Sequence, residues 1–363
     1  MNVHEITCQH LLSGIGRYGW ELADGMAQKG VLNTFHKPWK KGHSDEVYHT
    51  KDWVRGYRYR SLRNLHPYLL PYFIRRSLRV NKGDLLHAHW FLSGLAISSY
   101  KKNPRIITMH DVSLLHLPEH KGQRYIDYYA RSIQTFRKRE IPIIVVSEQA
   151  RQDALEYAGY PDSLVHVVYN GVNHEQFYPL ENDQKRPAER FRFVYSGGLG
   201  ERKNVGLLLT AFKEVEKISP ECELILSGAH PERTEYPAMA KELGIDNITF
   251  TGFIPDEEMA DFYRSGHCMV FPSRYEGFGL APLESMACGT PVLSARGGAL
   301  TETSGDGALF FNYDTDDLKD KMLTMINDQQ VREEYIRKGM ARAAQFTWKH
   351  TVNETLRIYR TLS

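Results

Sequence analysis

The sequence has no apolar segment long enough to cross a membrane, since no run approaches the roughly 18 uninterrupted apolar residues that a spanning helix needs. Its start, Met1 to Glu5, also lacks the basic residues and apolar core of a secretory signal. Cysteine is scarce: the 363 residues include four cysteines, which lie far apart without a Cys-x-x-Cys pair. This spacing argues against a structural zinc site and a disulfide framework. We therefore expect a cytoplasmic protein with reduced thiols.

Acidic residues are missing between Asp52 and Asp84, although eight basic residues and several aromatic residues lie there. Residues 1–170 carry 24 Lys and Arg against 15 Asp and Glu, hence +9, and the remainder carries 22 against 29, hence −7. The stretch 53–82 has three interpretations: a solvated helical face, a nucleic-acid surface, or a surface for anionic lipid headgroups or an acceptor's diphosphate. The acidic second half and the lack of a nucleic-acid-reading module argue against nucleic acid. The arginines that would contact an anionic membrane peripherally, or an acceptor, are Arg75, Arg76 and Arg79.

Short β-branched or apolar runs alternate with amphipathic stretches of about 10 to 15 residues, which is typical of βαβ units around a parallel sheet. The pattern occurs twice, on either side of a polar segment that begins at Pro179 and ends at Pro187. It predicts an α/β protein with two doubly wound, Rossmann-like domains, 1–180 and 181–348, that face a central cleft. A final helix at 349–363 is expected to pack back on the first domain. The candidate strands are 3–7, 31–35, 85–89, 105–109, 143–146 and 164–168, then 191–196, 223–227, 248–251, 268–271, 291–294 and 308–311.

The most informative segment is 271–291, which reads Phe-Pro-Ser-Arg-Tyr-Glu-Gly-Phe-Gly-Leu-Ala-Pro-Leu-Glu-Ser-Met-Ala-Cys-Gly-Thr-Pro. We expect a strand to end at Phe271 and a helix to begin near Pro282, because proline is favoured at the first helical position. The residues between Gly277 and Ala281 would then present backbone N–H groups and the positive end of the helix dipole to an anion. This arrangement predicts a phosphate site.

Two glutamates flank this loop, Glu276 before the predicted helix and Glu284 in its first turn. Carboxylates accept hydrogen bonds from hydroxyl groups, so the pair suits a sugar on one side of a diphosphate and a ribose on the other. A structural interpretation stays open for each residue: Glu284 would favour the helix dipole, and Glu276 would be a solvated loop acid. The intervening Gly-Phe-Gly favours ligand binding by the pair.

Residues 272–291 resemble the hallmark phrase of the retaining glycosyltransferases of family 4, which have the GT-B fold, and match it almost throughout. In that family two glutamates separated by seven residues stand inside a similar phrase. The resemblance covers most of the chain, and its glycine-rich and Arg-Lys-Asn phrases look like those of mannosyl-transferring members. Further matching positions are Gly14-Ile-Gly-Arg-Tyr18, His110-Asp111, Val146-Ser147, Asn170-Gly-Val172, Arg202-Lys-Asn204 and Gly297-Gly-x-x-x-Glu302.

The resemblance implies a donor site. Glu276 would hold hydroxyl groups of the donor sugar, Glu284 would hold the ribose, and Lys203 would neutralise the diphosphate as its charge grows. The backbone groups that would line the sugar and the diphosphate belong to Gly277, Phe278, Gly279 and Leu280.

One phosphate contact departs from the family's pattern. Many relatives have an arginine directly after a glycine at the end of the first strand of the second domain, where this chain has Gly198. Arg202 is the expected substitute. Arg202 and Lys203 could instead be solvated charges at a helix start, but cations there oppose the helix dipole unless an anion is bound.

The glycine-rich phrase near the start supports two interpretations. By the resemblance, Gly14 and Gly16 line a loop close to the acceptor and the donor phosphates, and Arg17 is either a surface charge or a phosphate contact. The run from Gly14 to Gly19 also matches a dinucleotide-binding fingerprint. Six residues separate that run from Thr7, and no acid ends the second strand, so we do not expect NAD.

Histidines in the first domain have both catalytic and structural interpretations. By the resemblance, His110 reaches the donor sugar and contributes orientation and charge stabilisation; alternatively, it caps the next helix together with Asp111. The pair in His87-Ala-His89 lies on one face of a strand, which leaves a metal-dependent hydrolase as an alternative, although no complete ligand set is apparent. Asp314-Thr-Asp316 matches a metal-binding pattern of another glycosyltransferase architecture, but its position favours helix capping, so no metal is expected.

The resemblance thus implies a hexosyltransferase of polysaccharide biosynthesis. It would move the sugar of a nucleoside diphosphate donor to a hydroxyl group of a glycan or lipid-linked acceptor, with retention at the anomeric carbon. GDP-mannose is the first expected donor and a UDP-sugar the second, with no cofactor. Two alternatives stay open: a sugar-nucleotide epimerase or hydrolase of the same fold, and a catalytically silent subunit that binds a sugar nucleotide.

Overall fold

A computed structural model describes residues 2–8, 14–38, 51–57, 66–117, 122–180 and 190–362 of the chain. The chain forms two compact units, one made of Met1–Gly171 with Trp348–Ser363 and the other of Val172–Thr347. Each unit has a parallel sheet with helices between its strands, so the predicted α/β class with two Rossmann-like domains is confirmed.

The sheet of the first unit has seven strands in the order β3-β2-β1-β4-β5-β6-β7. Strands β2 and β3 lie on one side of β1, and β4 to β7 lie on its other side. Strand β1 pairs with β4 in a register that puts Glu5 opposite His87. The strands are β1 (Val3–Ile6), β2 (Asn33–Pro38), β3 (Val54–Tyr57), β4 (Leu85–Ala88), β5 (Arg105–Met109), β6 (Ile143–Val145) and β7 (Val165–Val167). The helices are α1 (Gly14–Gln28), α2 (His66–Ser77), α3 (Phe91–Ile97), α4 (Gln123–Lys138), α5 (Glu148–Glu156) and, from the end of the chain, α13 (Trp348–Leu362).

The sheet of the second unit has six strands in the order β10-β9-β8-β11-β12-β13. The strands are β8 (Phe191–Ser196), β9 (Cys222–Ser227), β10 (Ile248–Gly252), β11 (Cys268–Phe271), β12 (Val292–Ala295) and β13 (Ala308–Phe311). The helices are α6 (Val205–Ile218), α7 (Tyr236–Glu242), α8 (Met259–Ser265), α9 (Leu280–Ala287), α10 (Leu300–Ser304), α11 (Thr315–Asn327) and α12 (Gln329–Ala343).

Residues 172–180 pack in the second unit and not, as predicted from the sequence, in the first domain. The Phe177 side chain is 1% exposed, and the guanidinium of Arg264 donates hydrogen bonds to the carbonyl oxygens of Gln176 and Tyr178. The second unit therefore begins at Val172 and not at residue 181. The predicted linker lies largely outside the described residues, which resume at Arg190.

Helix α13 packs on the first unit because it is amphipathic. Its buried face carries Val352 and Tyr359, and a Cβ on Gly25 of α1 would lie only 2.7 Å from Val352 Cγ2. The hydroxyl group of Thr351 donates to the carbonyl oxygen of Tyr169, 2.8 Å away. Burial of apolar side chains at about 25 cal/mol per Å² is what holds such a helix in place.

Strand β3 and helix α2 both fall in the basic stretch, and β3 was not predicted. Trp53 packs inward, stacked on Trp20 with ring centroids 5.2 Å apart, so part of this stretch belongs to the core.

None of the described helices has an apolar segment long enough to span a bilayer. The cysteines are free, and three of them, Cys222, Cys268 and Cys288, are buried.

Candidate functional site

The loop between β11 and α9 is held by close backbone contact with the Gly297-Gly298 turn. A Cβ at Gly297 would lie 2.3 Å from the carbonyl oxygen of Ser273, so no other residue fits there. Gly298 has a φ of +59°, and the carbonyl oxygen of Glu276 accepts a hydrogen bond of 2.9 Å from the Ala299 N–H. The two glycines therefore fix the backbone of Glu276.

The Glu276 side chain contacts two cationic side chains and a hydroxyl group. Its Oε1 lies 2.6 Å from Lys203 Nζ and accepts a hydrogen bond of 2.5 Å from Ser273 Oγ. Its Oε2 lies 3.3 Å from a guanidinium nitrogen of Arg202. Lys203 comes from the 3-10 turn Glu201–Lys203 that follows β8, whereas Glu276 follows β11, the neighbouring strand. We call Arg202, Lys203 and Glu276 the ion triad.

The ion triad carries a net charge of +1, from two cations and one carboxylate. Glu276 is 9% exposed, and burial by itself would raise the pKa of its carboxyl group. Lys203 and Arg202 outweigh burial, together with the hydrogen bonds from Lys203 and Ser273, and lower that pKa below its ordinary value. Glu276 is therefore ionised at neutral pH, and a solvated loop acid does not describe it.

Helix α9 begins at Leu280, two residues before the predicted start. Gly279 precedes it with a φ of +96°, and a Cβ on Gly279 would lie 2.6 Å from Leu300 Cδ2. Pro282 is tolerated in the first turn because N–H groups there have no intrahelical acceptor. Three residues therefore separate Glu276 from the first residue of α9.

Glu284 lies in the second turn of α9 and not in the first, because the helix begins early. It is 6% exposed, and its Oε2 accepts a hydrogen bond of 3.1 Å from the Tyr263 hydroxyl group. The Phe278 side chain is also buried, with its ring 5.6 Å from that of Phe346. Phe278 can therefore offer a ligand its backbone only, and Gly277 lies between it and the ion triad.

The Arg202 side chain contacts Glu276 and the loop that carries it. Its guanidinium also donates to the carbonyl oxygen of Tyr275. A Cβ on Gly198 would meet nothing within 4 Å. A Cβ therefore has room at Gly198, and Arg202 is held beside Glu276 by two contacts with the loop.

In the first unit, His110 directly follows β5. One ring nitrogen is hydrogen-bonded to the backbone of His89, and Nε2 has no partner within the described part of the chain. Burial, with smaller effects of His89 and His87, lowers the pKa of His110 to about 3. The ring is neutral at neutral pH, which suits orientation of a ligand and not charge stabilisation. Asp111 alone caps the following turn, by accepting from the N–H and Oγ of Ser113.

Gly14 and Gly16 lie in the first turn of α1. Nothing would obstruct a Cβ on Gly14, whereas one on Gly19 would lie 2.2 Å from His89 Nδ1. Gly19, the last glycine of the apparent fingerprint, is therefore needed for packing of α1 against the sheet.

His87 and His89 lie beside a carboxylate that no sequence pattern indicated, Glu5 on β1. His89 Nε2 lies 2.5 Å and His87 Nδ1 2.9 Å from Glu5 Oε2. Ligand atoms about 2.0–2.1 Å from a tetrahedral zinc ion would lie more than 3 Å apart. The observed distances are those of hydrogen bonds and are shorter than the ligand separations of an occupied tetrahedral zinc site.

The remaining predicted positions are on the surface. Arg75 and Arg76 in the last turn of α2 and Arg79 just after it are exposed, and so is Tyr72, at 57%. Among the described residues, no carboxylate forms an ion pair with these arginines.

Asp314 caps α11 by accepting from the Asp317 N–H at 2.9 Å, which confirms the predicted cap.

Comparison with known proteins links both units to one class of enzyme. The family described as Glycosyltransferase Family 4 matches residues 12–176, and Glycosyl transferases group 1 matches residues 179–342. The chain is 26% identical over 377 residues to the O-antigen chain mannosyltransferase B of Escherichia coli, covering 97% of each chain.

Two solved structures share the fold. Sucrose-phosphate synthase from Thermosynechococcus elongatus has a TM-score of 0.82 at 21% identity, covering 99% of this chain and 98% of the other. Anabaena Alr3699/HepE, solved in complex with UDP and glucose, has a TM-score of 0.79 at 19% identity, covering 99% of this chain and all of the other (100%).

Proposed function

Since the chain belongs to the family 4 glycosyltransferases and has the two Rossmann-like domains of the GT-B fold, we propose that it transfers a hexose from a nucleoside diphosphate donor to a hydroxyl group of a glycan or lipid-linked acceptor, with retention. The observation that carries the proposal is the ion triad beside the N-terminus of α9. A carboxylate that can accept sugar hydroxyl groups lies there next to two cations and a helix start that attract a diphosphate.

The ion triad matches the charge change of the reaction. The diphosphate gains negative charge as its bond to the anomeric carbon breaks, and the extra positive charge of the triad stabilises that state more than the bound donor. Lys203 Nζ has three N–H donors, so it can keep its hydrogen bond to Glu276 while it also donates to a phosphate oxygen.

Glu276 is a poor base and nucleophile, because two cations and a hydroxyl group hold its charge and lower its pKa. The acceptor's proton goes instead to the departing phosphate oxygen, while the acceptor oxygen bonds to the anomeric carbon on the face that the phosphate leaves. This front-face route needs no carboxylate nucleophile, unlike that of retaining glycosidases. It retains the anomeric configuration.

The other predicted residues fit supporting roles. Glu284, buried and bonded to Tyr263, would hold the ribose; Gly277 to Leu280 would contact the sugar and diphosphate through their backbone. In the first unit, His110 Nε2 would accept a hydrogen bond from a sugar hydroxyl group, and Gly14 and Gly16 would leave room for substrate at the start of α1.

GDP-mannose is the donor we favour, with a UDP-linked hexose second. The E. coli relative is a mannosyltransferase by name, whereas the Anabaena structure contains UDP and glucose. No metal or organic cofactor is proposed, since Arg202 and Lys203 supply the cations that a divalent ion would otherwise supply. Addition of EDTA should therefore leave turnover unchanged.

Turnover with and without acceptor tests the reaction. We expect nucleoside diphosphate release from GDP-mannose or a UDP-hexose to depend on a glycan or polyprenyl-linked acceptor, and proton NMR of the product to show the donor's anomeric configuration. Equal release without acceptor would favour the hydrolase, interconversion of donor sugars the epimerase, and binding without turnover the silent subunit. Inversion would contradict the front-face route.

A further inference from the structure

Two arginines near the ion triad have no part in the proposed donor site. Arg274 stands two residues before Glu276, in the loop between β11 and α9, and Arg296 directly follows β12. Both side chains are exposed, and neither guanidinium forms an ion pair with a carboxylate of the described ranges. We call Arg274 and Arg296 the arginine pair. It carries a charge of +2, because it lacks the carboxylate that limits the ion triad to +1.

The backbone holds the two arginines next to each other. Gly297 follows Arg296, and a Cβ on Gly297 would lie only 2.5 Å from the carbonyl carbon of Arg274. One residue further on, Gly298 forms a parallel bridge with Glu276. The contacts that fix the backbone of Glu276 therefore also fix the separation of the two arginine backbones, and they place the arginine pair beside the ion triad.

Two aromatic residues support the side chains of the arginine pair. The guanidinium carbon of Arg296 lies 4.7 Å from the ring centre of Phe310 on β13. Such a stack orients the guanidinium plane and leaves its N–H groups available to a ligand. Tyr313, just after β13, donates from its hydroxyl group to the Ser273 carbonyl oxygen at 3.1 Å. Burial raises the pKa of Tyr313, and the nearby guanidinium of Arg274 opposes that rise.

The charge and the donor geometry of the arginine pair suit a phosphoryl group. Such a group carries a charge of about −1.5 to −2 at neutral pH and offers three strong acceptor oxygens. A guanidinium can donate to two of these oxygens in parallel. A carboxylate would neutralise only one of the arginines, and a sugar hydroxyl group would neutralise neither. The ion triad and the start of α9 already provide for the donor's diphosphate, so the arginine pair suits a phosphoryl group of another molecule.

We propose that Arg274 and Arg296 form a second anion site, which binds a phosphoryl group other than the donor's diphosphate. The ligand that we infer is a phosphoryl group of the acceptor. This assignment rests on the proposed function, whereas the anion site itself does not. Because the site lies beside Glu276, it would hold such an acceptor near the donor sugar and favour it over a neutral acceptor. Free phosphate has the same chemistry and is the other possible source.

Calorimetric titration with inorganic phosphate, first alone and then with saturating GDP or UDP, tests the anion site. The variant combines Arg274→Gln with Arg296→Gln. The matched control combines Arg233→Gln with Arg337→Gln, which removes two exposed positive charges elsewhere in the second unit. We expect the wild type to bind phosphate in the presence of nucleotide. Binding should weaken about tenfold or more in the variant, because both charged forks are lost, and stay within about twofold in the control.

Thermal unfolding shows whether the double variant folds. If it does not, Arg296→Lys is the second variant, because lysine keeps the charge and loses the planar fork. We expect Arg296→Lys to weaken phosphate binding about threefold or more, and an unchanged affinity would contradict the site.

Kinetics separates the acceptor from free phosphate as the source of the ligand. The acceptor that supports turnover is compared before and after its phosphate groups are removed. The Arg274→Gln, Arg296→Gln variant should raise KM for the phosphorylated acceptor about tenfold, and the Arg233→Gln, Arg337→Gln control should leave it unchanged. Inorganic phosphate should compete with the phosphorylated acceptor in the wild type.

Phosphate binding that is unchanged in the double variant, or equally reduced in the control, would overturn the anion site. Phosphate binding that disappears at saturating GDP or UDP would assign the arginine pair to the donor and overturn a second site. Phosphate binding by a protein that transfers no sugar would leave the anion site standing and remove the proposed function. An active acceptor without a phosphoryl group, or an unchanged KM for a phosphorylated one, would overturn the acceptor assignment.

Discussion

Glu276 is the residue on which the proposed donor site depends. It holds Lys203 and Arg202 at one place, and Ser273 adds a hydroxyl group from the same loop. Without it, two cations would face each other with no anion between them. The carboxylate therefore has two roles before any sugar binds: it keeps the cations in position, and it limits their excess charge to +1.

Glu276→Gln should abolish most of the activity and cost some stability. We expect turnover to fall about 100-fold, and the free energy of unfolding to fall by about 1–3 kcal/mol as the two cations lose their partner. The matched control is Glu214→Gln on α6, whose pair with Lys217 is exposed. Such surface pairs contribute about 0–1 kcal/mol, so the control should keep its activity and stability. Equal effects of both substitutions would contradict the role of Glu276.

The lowered pKa of Glu276 predicts how its contribution depends on pH. A carboxyl group whose pKa is lower in the folded state than its ordinary 4.5 stabilises the fold fully above that value and loses the contribution as the pH falls through the folded pKa. The stability difference between wild type and Glu276→Gln should therefore be constant near neutral pH and shrink as the pH falls below the ordinary 4.5. Urea unfolding across this range measures it; a difference that grows on acidification would contradict the assignment.

Single residues were predictable where a motif carried them, and not where the fold brings distant positions together. The phrase around Glu276 and Glu284 suggested sugar and ribose contacts, and the resemblance named Lys203. Tyr263 was missed because its contact with Glu284 spans two helices. Glu5 was missed because strand register alone places it opposite His87, with no local sequence signal.

Among the secondary-structure elements, α9 matters most for the proposed donor site, because its N-terminus faces the expected diphosphate. Gly279→Ala would combine a φ of +96° with a Cβ only 2.6 Å from Leu300 Cδ2. We expect a loss of about 1–3 kcal/mol and much weaker nucleotide binding, because the helix start must move. Gly198→Ala is the control, since nothing lies within 4 Å of that Cβ. Thermal unfolding and nucleotide titration of both variants check this, and a tolerant Gly279→Ala would contradict it.

The strands could largely be predicted, because a buried parallel strand reads as a short apolar run. The edge strand β3 could not, since its sequence, Val-Arg-Gly-Tyr, lies among basic residues and half of it is polar or glycine. The beginning of α9 was placed two residues late because proline suggested a first helical position, whereas a left-handed glycine ends the loop earlier.

At the scale of the whole molecule, charge is distributed unequally, with +9 in residues 1–170 and −7 in the remainder. We propose that the exposed arginines Arg75 and Arg76 in the last turn of α2, with Arg79 just after it, contact an anionic membrane that carries the acceptor. Each basic residue near such a surface contributes about 1 kcal/mol.

Charge reversal of these three arginines to glutamate should abolish sedimentation with phosphatidylglycerol vesicles and leave turnover of a water-soluble acceptor unchanged. The control reverses Lys29, Arg357 and Arg360, which are also exposed in the first unit. Binding that is lost equally in both variants would indicate net charge alone, and binding that persists in the first would remove the membrane surface.

Calorimetric titration with GDP, UDP, ADP and their sugars tests the donor site most directly. The wild type should bind at least one nucleoside diphosphate, and Lys203→Ala should weaken that binding by tenfold or more, about 1.4 kcal/mol. Lys217→Ala, which removes an exposed lysine of α6, should bind as the wild type does. A wild type that binds none of these nucleotides, or a Lys203→Ala variant that binds them unchanged, would contradict the account.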